Sequence, residues 1–354
     1  MSDRAVAGGE GRRVALVLGS GGARGYAHIG VIEEIERRGY EIVSISGCSM
    51  GALVGGVYAA GQLSAYRDWV CRLDYFDVLR LVDVTWSAMG AMKANKVMGK
   101  LESLVGDVHI EELAIPVTTV ATDMTRQREV WFQSGSLLEA IRASIAVPGV
   151  ITPVCRGGQV LVDGGLLNPL PIIPSVSADA DLVVAVNVTA HSPRPVTLEE
   201  LLPPEAARRE REAARSDSGN EFSAWIDEVK GAASRWIDGL GGGGNGDEED
   251  DDQSEAGSRR RQWGRLDMML ASFDITQAAL AKYKVAGYPP DVLIEVPKTV
   301  CGAYEFHRAE ALITLGRQLA VEALDRYTQP TLPGWGERGI IVGPRLPGET
   351  SPGE

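Results

Sequence analysis

The stretch from residue 42 to residue 56 constrains the fold of this chain more than any other part of the sequence. A run rich in Ile and Val ends abruptly at Gly47, and a small-residue pattern typical of a tightly packed helix begins at Met50. The turn between them, Gly47-Cys48-Ser49-Met50-Gly51, has the form Gly-x-Ser-x-Gly. A strand, a sharp turn and a helix in this order are typical of a site that holds a nucleophilic serine at the tip of a sheet.

Ser49 is therefore the candidate nucleophile. Gly47 and Gly51 are expected to let neighbouring backbone and the following helix approach Ser49, because a Cβ at either position would collide. The N–H of Met50 lies at the start of the helix, where the dipole favours a developing oxyanion. Because the five-residue pattern also occurs by chance, a second element is needed before a function can be inferred.

The composition is that of an ordinary globular protein. The 354 residues suit one large domain or two small ones, and 44% of them are hydrophobic and 23% charged. The formal net charge of −13 argues against nucleic acid as a partner, because binding to phosphate backbones needs clustered Lys and Arg.

Cysteine usage and the N-terminus bear on location. The four cysteines, Cys48, Cys71, Cys155 and Cys301, form no Cys-x-x-Cys pair, so we expect neither a disulfide framework nor a zinc site. Residues 1–13 lack the apolar core of a signal peptide, and no apolar run approaches the length of a membrane span. These features predict a cytoplasmic protein, with peripheral contact at the inner face of the membrane as a further expectation.

The chain opens with a βαβ pattern. Residues 14–18 are continuously apolar, as in a buried parallel strand, and they run into a glycine-rich loop at residues 19–25. Helical spacing follows over residues 26–38 and leads to the strand that carries Ser49. Because adjacent parallel strands end at the same edge of a sheet, the loop is expected to lie beside Ser49.

The glycine loop fits neither of two nucleotide-binding motifs. In a dinucleotide fingerprint counted from Gly19, the sixth position would be Gly, but it is Arg24. A P-loop needs Gly-Lys-Ser/Thr, and the one Gly-Lys pair, at residues 99–100, is followed by Leu. The free backbone N–H groups of such a loop could instead bind an oxyanion.

Further along, hydrophobic spacing predicts helices over residues 50–60, 63–73, 94–105, 137–146, 266–285 and 306–327. Strands are predicted over residues 117–122, 129–132, 159–162, 182–188 and 291–296.

Residues 191–262 differ in character, with 17 acidic and 10 basic side chains and a run of glycines followed by acids. We expect a largely disordered insertion, with an amphipathic helix at about residues 221–240 that carries Trp225 and Trp236. Its apolar stripe, over residues 222–240, suits a membrane interface, a lid or a helix docked on the core. Residues 1–13 and 328–354 are expected to be flexible ends.

A serine nucleophile needs a base. The four histidines are His28, His109, His191 and His307, and a triad through His191 or His307 stays open. Only one strand precedes the Ser49 strand, however, which is unlike the order in triad α/β-hydrolases. The alternative base is Asp163, which ends a predicted strand and is followed by Gly164 and Gly165.

Three motifs in this order give the chain a resemblance to the bacterial patatin-like phospholipases, in the branch similar to neuropathy target esterase. They are Gly21-Gly22-Ala23-Arg24-Gly25, Gly47-Cys48-Ser49-Met50-Gly51 and Asp163-Gly164-Gly165. The sequences Ala143-Ser144-Ile145-Ala146-Val147-Pro148 and Asn168-Pro169-Leu170-Pro171 agree with it. The resemblance covers about residues 14–190 and 264–325. It departs from the family pattern at Ser20, where the family has a glycine.

The resemblance implies a three-layer α/β/α patatin-like fold with a mainly parallel central sheet, built from residues 14–190 and 263–327. It implies a serine hydrolase that cleaves acyl esters of phospholipids or lysophospholipids, with Ser49 as nucleophile and Asp163 as base. The implied oxyanion hole draws on Gly21, Gly22, Ala23, Arg24 and Met50, and Arg24 would brace the loop or meet a lipid phosphate. A lipid acyl ester is then the expected partner, and neither a metal nor an organic cofactor is implied. A catalytically silent patatin-fold module that binds lipid or protein remains the alternative.

Overall fold

The computed structural model describes residues 10–81, 93–216, 265–328 and 340–342. Within these residues no helix is both long and apolar enough to cross a membrane. The predicted amphipathic segment, residues 222–240, lies outside them.

The described residues form one nine-stranded sheet. The strands are β1 (Arg13–Leu18), β2 (Glu41–Cys48), β3 (Val117–Asp123), β4 (Arg128–Phe132), β5 (Val154–Arg156), β6 (Gln159–Asp163), β7 (Leu182–Ala190), β8 (Val292–Pro297) and β9 (Ile340–Val342). The hydrogen-bonded order is β5-β6-β3-β2-β1-β7-β8-β9, and β4 pairs with β3 off this path. The pairings from β3 through β9 along this order are parallel, whereas β4, β5 and β6 pair antiparallel.

The α-helices are α1 (Ala27–Arg37), α2 (Met50–Ala59), α3 (Leu63–Val70), α4 (Tyr75–Leu81), α5 (Asn95–Val105), α6 (Leu137–Ser144), α7 (Leu198–Leu201), α8 (Pro204–Ser216), α9 (Arg265–Gly287) and α10 (Ala309–Thr328). Local signals fix several of their ends. Gly39 has φ 76° just beyond the last turn of α1, a conformation that favours glycine. The Ser136 side chain caps α6 by accepting a hydrogen bond from the Glu139 N–H at 3.3 Å.

The helices cover both faces of the sheet. One face of β1 (Val14, Leu16 and Leu18) joins the large core cluster that also contains residues of α1, α2 and α10. The other face, represented by Val17, packs in a smaller cluster with Ala281 of α9. These clusters confirm the predicted three-layer α/β/α fold with a mainly parallel sheet.

Helices α1 and α10 lie unusually close together. A Cβ on Gly30 would stand 2.0 Å from the Ile313 carbonyl oxygen, and a Cβ on Gly316 would stand 2.0 Å from the Ala27 carbonyl oxygen. The two glycines therefore allow backbone-to-backbone contact in the layer that supports the glycine loop.

Parts of the segments expected to be irregular are ordered. Helices α7 and α8 fall within residues 191–262, and Val196, Leu198, Leu201 and Ala207 are buried in the main core. Residues 191–216 of the expected insertion therefore form helices and supply apolar side chains to the core. Strand β9 lies within the expected flexible end and pairs with β8. Helix α4 and strand β5 were also absent from the prediction.

Candidate active site

Ser49 occupies a strained turn between β2 and α2. Its backbone has φ 53° and ψ −120°, a conformation rarely adopted by residues other than glycine. The turn is tightly enclosed, since a Cβ on Gly51 would stand 2.0 Å from the Leu18 carbonyl oxygen and one on Gly47 would stand 2.5 Å from the Gly51 carbonyl oxygen. This is the geometry of a nucleophile elbow.

The Ser144 side chain holds the turn at Ser49 in place by two hydrogen bonds. The Ser49 N–H donates to Ser144 Oγ at 2.8 Å, and the Ser144 hydroxyl donates to the Val120 carbonyl oxygen at 2.6 Å. Ser144 is fully buried at the last turn of α6. One hydroxyl thus ties the strained turn to β3 and α6.

The pairing of β3 brings Ser49 and Asp163 together. Strand β4 pairs with β3 from Thr119 to Asp123, whereas β2 pairs with residues 117–120 and β6 with residues 121–123. Because β4 occupies one edge of β3 throughout its own stretch, β2 and β6 must share the other edge. Cys48 lies opposite Val120 and Asp163 opposite Ala121, so the two strands end against each other at this point.

Asp163 is a buried carboxylate with one well-bonded oxygen. Oδ1 accepts a hydrogen bond from the Gly165 N–H at 2.7 Å and a weak one from the Cys48 thiol at 3.9 Å. Oδ2 is also buried and accepts no hydrogen bond from the described residues.

Burial raises the pKa of Asp163 to about 6, while the Ser49 hydroxyl, the Gly165 N–H and the Cys48 thiol act to lower it. The Ser49 hydroxyl is therefore close enough to lower the pKa of Asp163, although it makes no hydrogen bond of normal geometry to Oδ2. A carboxyl with this pKa is ionised near neutral pH yet holds a proton more readily than an exposed one. Such a group suits general base catalysis.

The glycine loop forms a short 3₁₀ helix, Gly22–Tyr26, directly beside the elbow. Gly22 has φ 58°, and a Cβ there would stand 2.3 Å from the Ala303 carbonyl oxygen. The neighbouring motif glycines also lie at close contacts: a Cβ on Gly25 would meet Met50 Cβ at 2.4 Å, one on Gly21 would meet Val188 at 2.3 Å, and one on Gly164 would meet the Val120 carbonyl oxygen at 2.2 Å.

Two of the expected oxyanion donors are already engaged. The Ala23 N–H donates to the Ala303 carbonyl oxygen at 2.8 Å. Arg24 lies inside the 3₁₀ helix, where the backbone N–H is used by the helix itself. Ala23 and Arg24 are therefore removed from the set of donors. By contrast, the N–H groups of Gly21, Gly22 and Met50 donate no hydrogen bond to a carbonyl oxygen of the described residues.

Arg24 braces the loop with its side chain. It is only 4% exposed, and its guanidinium donates to the Gly21 carbonyl oxygen at 3.1 Å, the Lys298 carbonyl oxygen at 3.1 Å and Asp274 Oδ1 at 3.0 Å. All three of its nitrogens are thereby engaged, which excludes a solvated loop arginine.

A cavity of about 380 Å³ opens onto Ser49 and Asp163. Apolar side chains from α2, α3, α5 and α9 form most of its wall, among them Leu53, Trp69, Val97, Leu270 and Phe273. Its polar lining includes Arg24, Asp274, Gln277 and Lys298. The arrangement suits a long apolar group whose polar end lies at the elbow.

None of the four histidines, all within the described residues, lines this cavity. His28 is buried and its Nε2 lies 2.8 Å from the Gly19 carbonyl oxygen. Burial lowers the pKa of His28 to about 4, so the ring is neutral and Nε2–H donates to that carbonyl. His109 and His191 are exposed and His307 is half-buried.

Comparison with known proteins gives the family. Residues 16–175 match the family model of the patatin-like phospholipases. An uncharacterized NTE family protein of Mycobacterium tuberculosis is 42% identical over 356 residues, which cover 91% of this chain and 94% of that protein. The chain belongs to the NTE family of patatin-like phospholipases.

More distant relatives match smaller parts. The neuropathy target esterase sws of Drosophila melanogaster is 32% identical over 185 residues, or 50% of this chain and 13% of that protein. The crystal structure of VipD from Legionella pneumophila covers 89% of this chain and 67% of its own, with 15% identity and a TM-score of 0.39. Family membership confirms the predicted resemblance and makes this chain a lipid hydrolase.

Two polar residues of this patatin-like site were missed by sequence reasoning. Gln277 on α9 is 4% exposed, and the Ser20 hydroxyl donates to its Oε1 at 3.3 Å. Gln277 and Asp163 both lie close to Gly165, since a Cβ there would stand 2.3 Å from Gln277 Nε2 and 3.0 Å from Asp163 Oδ1. Lys298, which directly follows β8, could have been suspected because ligands bind beyond the carboxyl ends of parallel strands.

Within the described ranges no group of three or more His, Cys, Asp and Glu side chains is arranged to hold a metal ion.

Proposed function

We propose that this lipid hydrolase cleaves acyl esters of phospholipids or lysophospholipids through a dyad of Ser49 and Asp163. The observation that carries the proposal is the meeting of β2 and β6 on one edge of β3. It brings a serine on a strained turn beside a buried carboxylate, one oxygen of which accepts no hydrogen bond from the described residues.

In the proposed reaction, ionised Asp163 takes the proton of Ser49 as Oγ attacks the ester carbonyl carbon. The negative charge that develops on the carbonyl oxygen is stabilised by the N–H groups of Gly21, Gly22 and Met50. The proton then passes from Asp163 to the departing alcohol oxygen, which leaves an acyl group on Ser49. In the second half, Asp163 takes a proton from water, which attacks the acyl carbonyl, and the proton returns to Ser49 as the fatty acid leaves.

The cavity supports an acyl chain as the bound group. Its walls are mainly Leu, Val, Ile and aromatic side chains, and contact with them removes apolar surface of the chain from water. The acyl carbonyl is then the part of the ester that reaches the elbow.

The proposal is tested with purified protein, a panel of phosphatidylcholine and lysophosphatidylcholine substrates, and a fluorophosphonate probe that labels a working serine nucleophile. Ser49→Ala and Asp163→Asn should each reduce hydrolysis by about 10³-fold or more and leave the fold intact. His191→Ala and His307→Ala serve as controls and should keep most of the activity. Loss of comparable size in either histidine variant, in a protein that still folds, would instead establish a triad. Absence of labelling in the wild-type protein would favour a silent lipid-binding module.

A further inference from the structure

Lys298 is the first residue after β8, at the carboxyl edge of the sheet where β2 ends at the elbow. Lys298 lines the same cavity as Ser49, and its side chain is 27% exposed. Its carbonyl oxygen accepts a hydrogen bond from Arg24, so its backbone is tied to the glycine loop.

Among the described residues, the Lys298 ammonium donates no hydrogen bond. Nζ lies 3.6 Å from Asp274 Oδ2, which is close enough for an ion pair but too long for a hydrogen bond. No other side chain or carbonyl of the described residues receives a hydrogen bond from Nζ. Arg24, by contrast, has all three guanidinium nitrogens engaged.

The charges around Asp274 do not balance. Arg24 and Lys298 share this one carboxylate, so these three side chains together carry one positive charge in excess. A half-buried cation that donates no hydrogen bond to the described residues, beside an apolar cavity, is suited to an anionic ligand group.

We propose that Lys298, oriented by Asp274, binds the phosphodiester of the substrate headgroup and makes the enzyme select phosphate-bearing lipids over neutral glycerides. The inference rests on the proposed function. The ammonium acts as a point charge with three donors, a common way to bind phosphate. The acyl chain lies along the apolar wall, the ester at Ser49, and the phosphate at the Lys298 side of the cavity.

The test compares kcat/KM for a lysophosphatidylcholine and for a monoacylglycerol with the same acyl chain. Lys298→Met removes the charge and keeps most of the stem. It should lower kcat/KM for the lysophospholipid by about 10- to 100-fold, the usual effect of losing a hydrogen bond to a charged group, and change that for the monoacylglycerol by less than about threefold. Lys298→Arg, which keeps the charge, should retain most of the preference.

Lys282→Met provides the matched control, because Lys282 is exposed on α9 and does not line the cavity. This control variant should leave kcat/KM unchanged for both lipids. Equal loss on both substrates in Lys298→Met would mean that Lys298 only supports the loop, and an unchanged ratio would mean that the phosphate is bound elsewhere. Either result overturns the inference while leaving the hydrolase proposal in place, whereas a wild-type protein that hydrolyses neither lipid contradicts that proposal itself.

Inorganic phosphate added to the monoacylglycerol assay separates a headgroup site from a site for free anion. We expect no effect at millimolar phosphate. Inhibition that disappears in Lys298→Met would show that the free anion is the ligand and would overturn the headgroup assignment.

Discussion

Replacing Asp163 with Asn should make the folded protein more stable near neutral pH even though it removes the proposed base. The folded environment raises the pKa of this carboxyl from 3.8 to about 6, mainly through burial. The folded protein therefore binds the proton more tightly than the unfolded chain does. The stability that this provides is complete below the unfolded pKa of 3.8 and is lost as the pH rises through about 6.

The size of the effect follows from the two pKa values. At 1.36 kcal/mol for each tenfold change in proton affinity, the ionised carboxylate costs about 3 kcal/mol of unfolding free energy at about pH 7.5, and about 1 kcal/mol at about pH 4.5. Asparagine carries no charge at either pH, and its oxygen can still accept the Gly165 N–H. Its amide nitrogen replaces Oδ2, which accepts no hydrogen bond from the described residues, so any packing cost should be similar at both pH values.

The assay is urea denaturation of the wild-type protein and Asp163→Asn at both pH values, with the slopes checked for equality. The advantage of the variant over the wild-type protein should be larger by about 2 kcal/mol at the higher pH. The other carboxyl groups are common to both proteins, so their titration cancels in this comparison. A difference that does not grow with pH would refute the reasoning, because it would mean that burial does not oppose ionisation of Asp163.

Three further outcomes are expected. The acid limb of the kcat/KM profile should have an apparent pKa of about 6 and fall tenfold per pH unit below it; a profile flat down to pH 4 would exclude Asp163 as the base. Gly22→Val places a Cβ against the Ala303 carbonyl oxygen and should displace the loop N–H groups. Because these groups act on charge present only in the transition state, the variant should lower kcat far more than it raises KM, and an unchanged kcat in steady-state assays would contradict their role as oxyanion donors. Ser144→Ala should lower the free energy of unfolding by about 2–6 kcal/mol, since it leaves the Ser49 N–H and the Val120 carbonyl unpaired in the interior; a loss below about 1 kcal/mol in urea denaturation would mean that other groups replace the hydroxyl.

Local sequence patterns predicted those parts of the site that are formed by a few consecutive residues. The apolar run of β1, the glycine loop, the elbow at Ser49 and the Asp163-Gly164-Gly165 turn are all signalled within a few residues. With β1 and β2 included, seven of the described strands and seven of the described α-helices were predicted near their observed positions. The side-chain spacing of a buried strand or an amphipathic helix is visible in the sequence because it repeats over neighbouring residues.

The contacts that organise the site join distant residues and left no such signal. The meeting of β2 and β6 depends on long-range pairings of β3, with β2 about 70 residues earlier in the chain and with β6 about 40 residues later. The engagement of the Ala23 N–H depends on Ala303, and the burial of Arg24 depends on Asp274 and Lys298. The many charged side chains of α8 favour an exposed helix. Glu210 nevertheless accepts a hydrogen bond from Arg308 at 2.6 Å, and Ala207 is buried.

Three departures from ordinary local chemistry coincide around one cavity. Ser49 has a strained backbone conformation, and among the described residues no group donates a hydrogen bond to Asp163 Oδ2 and none accepts one from Lys298 Nζ. On the proposals above, the strained turn presents Ser49 to the ester, the unpaired oxygen of Asp163 receives the Ser49 proton, and the Lys298 ammonium binds the headgroup phosphate. Such conflicts are expected at functional sites, where the rest of the core must compensate for them. Their coincidence argues that the cavity is built for a substrate and not merely left by imperfect packing.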